Sequence, residues 1–332
     1  MHTIYLTDNG LQLKKKSNRI LVKKDGKTLD EIQILDLKRV LIFGNNQVST
    51  ELMRHLASKG IEVAFLSSRG RFKFRIVPET SKNIYLRMAQ HERYRDQSFR
   101  VRFSKTLIKA KLKNQRNFLV RYQRNQPETN LKNSIESLKK YRSRIEQIKT
   151  IEQIMGLEGI GSRVYFEAYG KLLLGGFEFS KREYYPPPDP VNALLSFGYM
   201  LLFNELSSLL EASGFDVFLG FLHSTKYGRA SLATDMMEEF RSPIADRLVI
   251  YLINKGAVKL SHFTPKEKKG VRMNEVARKT FLANYEKFMT ASFVDVKSRK
   301  RKNYRQIIKE TVFDLERTLL NNTDYTPYVF YS

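Results

Sequence analysis

The chain has 332 residues, 42% of them hydrophobic, and carries 59 Lys and Arg against 34 Asp and Glu, a formal net charge of +25. That length allows two domains, the ordinary apolar fraction excludes a disordered polycation, and a field of this sign favours polyanionic partners. The lack of cysteine excludes disulfides and thiolate metal sites.

The first 80 residues read as strands. Ile4 and Leu6, Leu11 and Leu13, and Ile20 and Val22 alternate with polar neighbours, with hairpin-type turns at Asn9-Gly10 and Asp25-Gly26. No apolar leader opens the chain. Val40 to Phe43 is a short buried-type run, Thr50 is the expected cap of a helix through Leu56 that Gly60 ends, and Ile61 to Leu66 and Phe72 to Val77 return to strand. After Pro78 the period becomes helical. Phe99, Phe103, Leu107 and Ile108 share one face of a long helix that Pro127 interrupts, and Leu131, Ile135, Leu138, Ile145 and Ile148 give a second amphipathic helix. The YYPPPDP run is a hard break, after which Asp189 and Pro190 start an apolar helix that Gly214 closes. Its apolar core, Ala193 to Phe203, is shorter than the ~20 residues a bilayer demands. The expectation is an α+β chain with no membrane partner, cytoplasmic, made of a small N-terminal β-rich domain over 1–80, a linker over 81–92 and a larger all-α domain over 93–332.

Residues 82–149 hold 19 Lys and Arg against 5 Asp and Glu, a net +14, and Lys297 to Lys309 has seven basic residues and no acid. One basic run is often a solvated face; two in so basic a chain point to a nucleic-acid surface. Tyr94, Tyr122, Tyr141 and Tyr304 lie among these cations and suit either base stacking or core packing.

The most informative stretch is Gly220 to Arg241, GFLHSTKYGRASLATDMMEEFR. It sets His223 before a turn and Asp235 and Glu238 three apart on one helix face. Imidazole plus carboxylate suits a hard or borderline divalent cation such as Mg²⁺ or Mn²⁺. The plainer alternative is that these acids are only the first turn of a helix, favoured by its dipole. Upstream, IMGLEGIGSRVYFEAY places Glu158 at the expected start of another helix. His2, His55, His91 and His262 have no such acidic neighbourhood in sequence.

Taken together, MGLEGIGSRVYF around Glu158, DPVNALLSFGYMLL around Asn192, the Gly220 to Arg241 stretch and LIFG at Leu41 to Gly44 resemble the CRISPR-associated adaptation integrase-endonuclease family, often called Cas one. The resemblance covers nearly the whole chain. It implies catalysis by Glu158, His223, Glu238 and Asp235, with the metal, Mg²⁺ or Mn²⁺, held by Glu158, His223 and Glu238. Some members carry Asp at the position of Glu238. Asp235 would orient His223 or a metal-bound water. The resemblance further implies a homodimer formed through the N-terminal domain, a small partner called Cas two, double-stranded and branched DNA as substrate, and insertion of spacers into a CRISPR array by direct transesterification. Two other readings stay open on the residues alone. One is a non-catalytic architectural nucleic-acid-binding protein; the other is a restriction-like metal nuclease, which would want its acids on adjacent strands rather than on helices.

Overall fold

The computed structural model describes residues 2–68, 70–76, 83–184, 186–223, 226–265 and 270–331. The chain divides into Met1–Ser81 and Lys82–Ser332.

The first unit is strand-rich. Its strands are β1 (His2–Leu6), β2 (Gln12–Lys16), β3 (Arg19–Lys24), β4 (Lys27–Gln33), β5 (Leu37–Phe43), β6 (Gln47–Val48), β7 (Glu62–Leu66) and β8 (Phe72–Ile76), with helix α1 (Thr50–Ser58) before β7. One sheet runs β1-β5-β7-β8 and the other β4-β3-β2-β6. Asp25-Gly26 makes the expected hairpin, with Lys24 opposite Lys27. Asn9-Gly10 does not: β1 pairs in parallel with β5, so the turn carries the chain from one sheet to the other. The hairpin next to β2 turns instead between Lys16 and Arg19. Helix α1 is capped by Ser49, whose side chain accepts from the Leu52 amide, one residue before the expected Thr50. Alternating residues such as Leu13, Ile20, Val22 and Val63 form this unit's core with Leu52 and Leu56.

The second unit is mostly helical. It contains α2 (Ile84–Arg95), α3 (Gln97–Asn125), α4 (Lys132–Arg144), α5 (Ile151–Gly170), α6 (Pro190–Ser213), α7 (Ser231–Met237), α8 (Arg247–Asn254), α9 (Glu275–Thr290) and α10 (Tyr304–Asn321). It is not wholly α: β9 (Phe263–Pro265) pairs with β10 (Val271–Met273), and β11 (Phe293–Val294) pairs with β12 (Arg301–Lys302). Much of the stretch expected as a linker, 81–92, is helix α2, while Pro78 and the change of period beside it lie outside the described residues.

Three helices set up the site. In α3, Leu107, Ile108, Lys111, Leu112, Asn114 and Gln115 all lie on the buried face. The second amphipathic run does not stay helical to Ile148; α4 ends at Arg144, a 3-10 turn spans Ile145–Gln147, and Thr150 then caps α5 by accepting from the Gln153 amide. Glu158 therefore lies two turns inside α5 rather than at its start. The central helix α6 begins at Asp189 and closes at Gly214, as its capping residues dictate. It is long and apolar enough to cross a membrane, but 78% of its most apolar window is buried within the fold, as in a core helix.

Candidate functional site: carboxylates and a lysine between helices

Glycine decides how closely α5 meets α3. A Cβ at Gly161 would stand 2.5 Å from Leu112 Cδ2, so a larger residue would force that leucine to shift. At this separation Lys111 Nζ of α3 donates to Glu158 Oε1 of α5, which also accepts from Ser162 Oγ at 2.7 Å. The same ammonium lies 2.6 Å from Glu238 Oε2, just past the end of α7. Glu238 Oε1 is 3.1 Å from Arg241 Nη2. Lys111 and Glu238 are only 7% and 4% exposed, so this is a buried charge cluster. Burial raises the Glu238 pKa, but Arg241, Lys111 and His223 outweigh it and bring the group down to about 2. Burial likewise pushes Lys111 down, and Glu158 and Glu238 more than reverse that, holding the ammonium above its ordinary range.

Asp235 and Glu238 lie at the C-terminal end of α7, so the reading of these acids as a dipole-favoured first turn fails. Asp235 is fully buried and organises the loop before it. Its Oδ2 accepts from the amides of Phe221 (2.6 Å) and Leu222 (2.9 Å), and its Oδ1 from the His223 amide (3.0 Å). His223 Nδ1 is 2.6 Å from the same Oδ1. An ionised carboxylate can only accept, so a proton sits on Nδ1, and in the neutral form of the ring the lone pair is on Nε2. The loop packs tightly here: a Cβ on Gly220 would come within 2.7 Å of both Asp235 Oδ2 and the Ser231 carbonyl carbon.

Among the described residues, no three His, Asp or Glu side chains close together on one metal position. Glu158 and Glu238 meet at Lys111, while His223 is held by Asp235 and, when protonated, is near enough for its charge to act on Glu238. The donor set nevertheless suits a divalent cation. Two carboxylates already converge on one positive centre, with Glu238 Oε2 2.6 Å from Lys111 Nζ. Together with Nε2 of His223 these oxygens could hold a Mg²⁺ or Mn²⁺ ion.

Beyond Glu238 the helix widens into a π segment, Arg241–Asp246, around Pro243, which has no amide proton to give. Buried Asp246 accepts from Tyr165 (2.8 Å) and Tyr199 (2.6 Å), and burial raises its pKa. A cleft of about 510 Å³ opens beside Glu158, Lys111 and Arg241 and is lined by Arg163, Lys181 and Arg182. Arg182 stacks 4.5 Å from the Tyr184 ring and bonds Asn192 Oδ1 at 2.8 Å. Asn192 also donates to the Lys181 carbonyl, so the DPVN run fixes this cationic wall. Also from α3, Asn114 and Asn117 bond the backbone of Tyr328 and Phe330, and Tyr325 donates to Glu239 Oε1. Glu238 and Glu239 are thus neighbours in sequence with different tasks.

Lys111, Arg241, Ser162 and Arg182 were not singled out from the sequence. Lys111 had a legible signal, since it falls on the same face as Leu107, Ile108 and Leu112. Arg241 stands three residues after Glu238 on a helical path. Of the basic-run tyrosines, Tyr304 is buried, donates to the Pro243 carbonyl and stacks on Phe288, so it is core rather than a base platform.

The CRISPR associated protein Cas1 family model matches residues 4–287. A CRISPR-associated endonuclease Cas1 from Thermus thermophilus is 32% identical over 329 residues, covering 98% of this chain and 96% of the relative. A solved Cas1 protein from Thermotoga maritima superposes with a TM-score of 0.80 at 26% identity, covering 100% of this chain and 99% of that one. A casposase bound to integration product has the same fold, with a TM-score of 0.86 at 22% identity over 98% of this chain and 93% of its own. With the family model spanning most of its length and a full-length relative at that identity, the chain belongs to the Cas1 family of CRISPR-associated proteins.

Proposed function

We propose that this chain is a metal-dependent DNA endonuclease and integrase of CRISPR adaptation, inserting spacer DNA by direct transesterification. The observation that carries the reading is the convergence of Glu158 and Glu238 on one cation position, beside an imidazole whose Nδ1 is held by Asp235. Mg²⁺ or Mn²⁺ held by Glu158, Glu238 and His223 would polarise the scissile phosphoryl group and stabilise its developing charge. The protein's own residues would do the rest. Arg163, Lys181 and Arg182 line the cleft and pair with phosphate oxygens, while Asp235 keeps the His223 tautomer fixed. A DNA 3′-hydroxyl then attacks phosphorus, forming one P–O bond as the bond to the target strand's 3′-oxygen breaks. No enzyme-bound intermediate is required. Double-stranded and branched DNA, a second copy of this chain and the small partner Cas two complete the assembly in this reading.

The test is Glu158→Ala. Integration of a duplex with a free 3′-hydroxyl into supercoiled DNA should fall by orders of magnitude, because the lost stabilisation exists only in the transition state. DNA affinity in filter binding should hold or rise slightly, since one carboxylate repelling phosphate has gone. Full strand transfer by this variant would instead favour an architectural DNA-binding protein.

A further inference from the structure

Lys111 raises a question that the carboxylates alone do not. Its ammonium is enclosed between Glu158 and Glu238, in ion-pair contact with both, and its side chain is 9% exposed. A divalent ion bound by the same oxygens at ~2.0–2.3 Å would need the volume that Nζ fills. Electrostatics agrees with sterics. Glu158, Glu238, Lys111 and Arg241 together are neutral as they stand. Adding a dication beside Lys111 would leave +2 on a buried cluster, whereas exchanging ammonium for dication leaves +1, which one phosphate neutralises.

We propose, on the metal-site reading above, that Lys111 is a resident counter-cation. It keeps Glu158 and Glu238 together in the metal-free protein and must leave before the metal is bound. The route out is short, because Lys111 already lines the cleft with Gln115, Ser162 and Arg163. Lys111 therefore acts through the carboxylates as a positioning residue. It prevents the buried Glu238 and the half-buried Glu158 from repelling each other, at the cost of weaker metal affinity.

Two measurements on the full chain test this. The first follows Mn²⁺ binding by the electron paramagnetic resonance of free Mn²⁺ in wild type, Lys111→Met and Glu158→Ala. Lys111→Met should bind Mn²⁺ at least about tenfold more tightly, because the group that competes with the metal for the site is gone. It should also melt at a lower temperature without metal and recover when Mn²⁺ is added. The second uses wild type alone, so it stands even if Lys111→Met fails to fold. Acetylation of Lys111 read by mass spectrometry, with exposed Lys132 as the internal reference, should rise at least about tenfold at saturating Mn²⁺. If Glu158→Ala loses Mn²⁺ binding while Lys111 shows neither effect, the counter-cation proposal is overturned and the metal reading stands. If Glu158→Ala binds Mn²⁺ as wild type does, the metal reading itself falls and this proposal with it.

Discussion

Asp235→Asn changes a single atom in a fully buried side chain that accepts four hydrogen bonds, two on each oxygen. An amide has one acceptor oxygen. Whichever way it is turned, its NH₂ faces two groups that were donating to a carboxylate. Either the Phe221 and Leu222 amides lose their acceptor, or the His223 amide and ring do. Hydrogen bonds to charged groups contribute about 1.5–3 kcal/mol each, so two lost bonds cost about 3–6 kcal/mol. For a protein of 332 residues that corresponds to roughly 4–9 °C in melting temperature. The second orientation also forces Nδ1 to accept, which moves the ring proton to Nε2 and removes the lone pair proposed as a metal ligand. Mn²⁺-dependent strand transfer should fall by about 10–100-fold or more, the usual cost of losing an outer-shell partner of a ligand. Thermal melts, strand-transfer assays and the ¹⁵N resonances of His223 together measure all three consequences. A variant that melts within a degree or two of wild type and transfers strands at full rate would refute the argument.

Gly220→Ala puts a Cβ 2.7 Å from both Asp235 Oδ2 and the Ser231 backbone; thermal melts should show destabilisation, and strand transfer should fall with it. Arg121→Glu with Arg124→Glu alters the exposed end of α3 and should weaken binding to unrelated duplexes alike, with a shallower dependence of log affinity on log salt. Arg116 is a poorer choice, because its Nε is buried without a hydrogen-bond partner. Burial raises Glu239 to about 8 from an ordinary carboxylate value, so its contribution to stability is complete in acid and is lost as pH rises from the unfolded value through about 8. Urea unfolding from pH 5 to 8 should show that decline, at most about 1.4 kcal/mol per pH unit, and Glu239→Gln should flatten it.

The fold was legible wherever a local signal and tertiary packing agreed. Asp189, Pro190 and Gly214 bracket α6 because capping is a property of the residues themselves. Asn9-Gly10 misled because a turn-forming pair specifies a bend but not its partner strand, and β5, far along the chain, supplies that partner. The sequence signal sets Glu158 at a helix start because the glycines around it weaken the helical pattern, while Thr150, the true cap, lies beyond them. At the site, His223, Asp235 and Glu238 could be read from spacing. Lys111 could not be tied to them, because its relation to Glu158 and Glu238 exists only once three helices have packed.

The π segment at Arg241–Asp246 sets a phase as well as a shape. One residue advances an α-helix by about 100°, so a wide turn holding an extra residue offsets everything after it by that angle. At its first residue stands Arg241, paired with Glu238, which meets Lys111; at its last stands Asp246, facing Tyr165 and Tyr199. The two halves of the site are therefore aligned by a residue count rather than by any one side chain. A substitution within the segment alters one contact. A one-residue deletion would restore the regular ladder and swing the tyrosine-bonded half away from the carboxylate half, much as a frameshift alters everything after it.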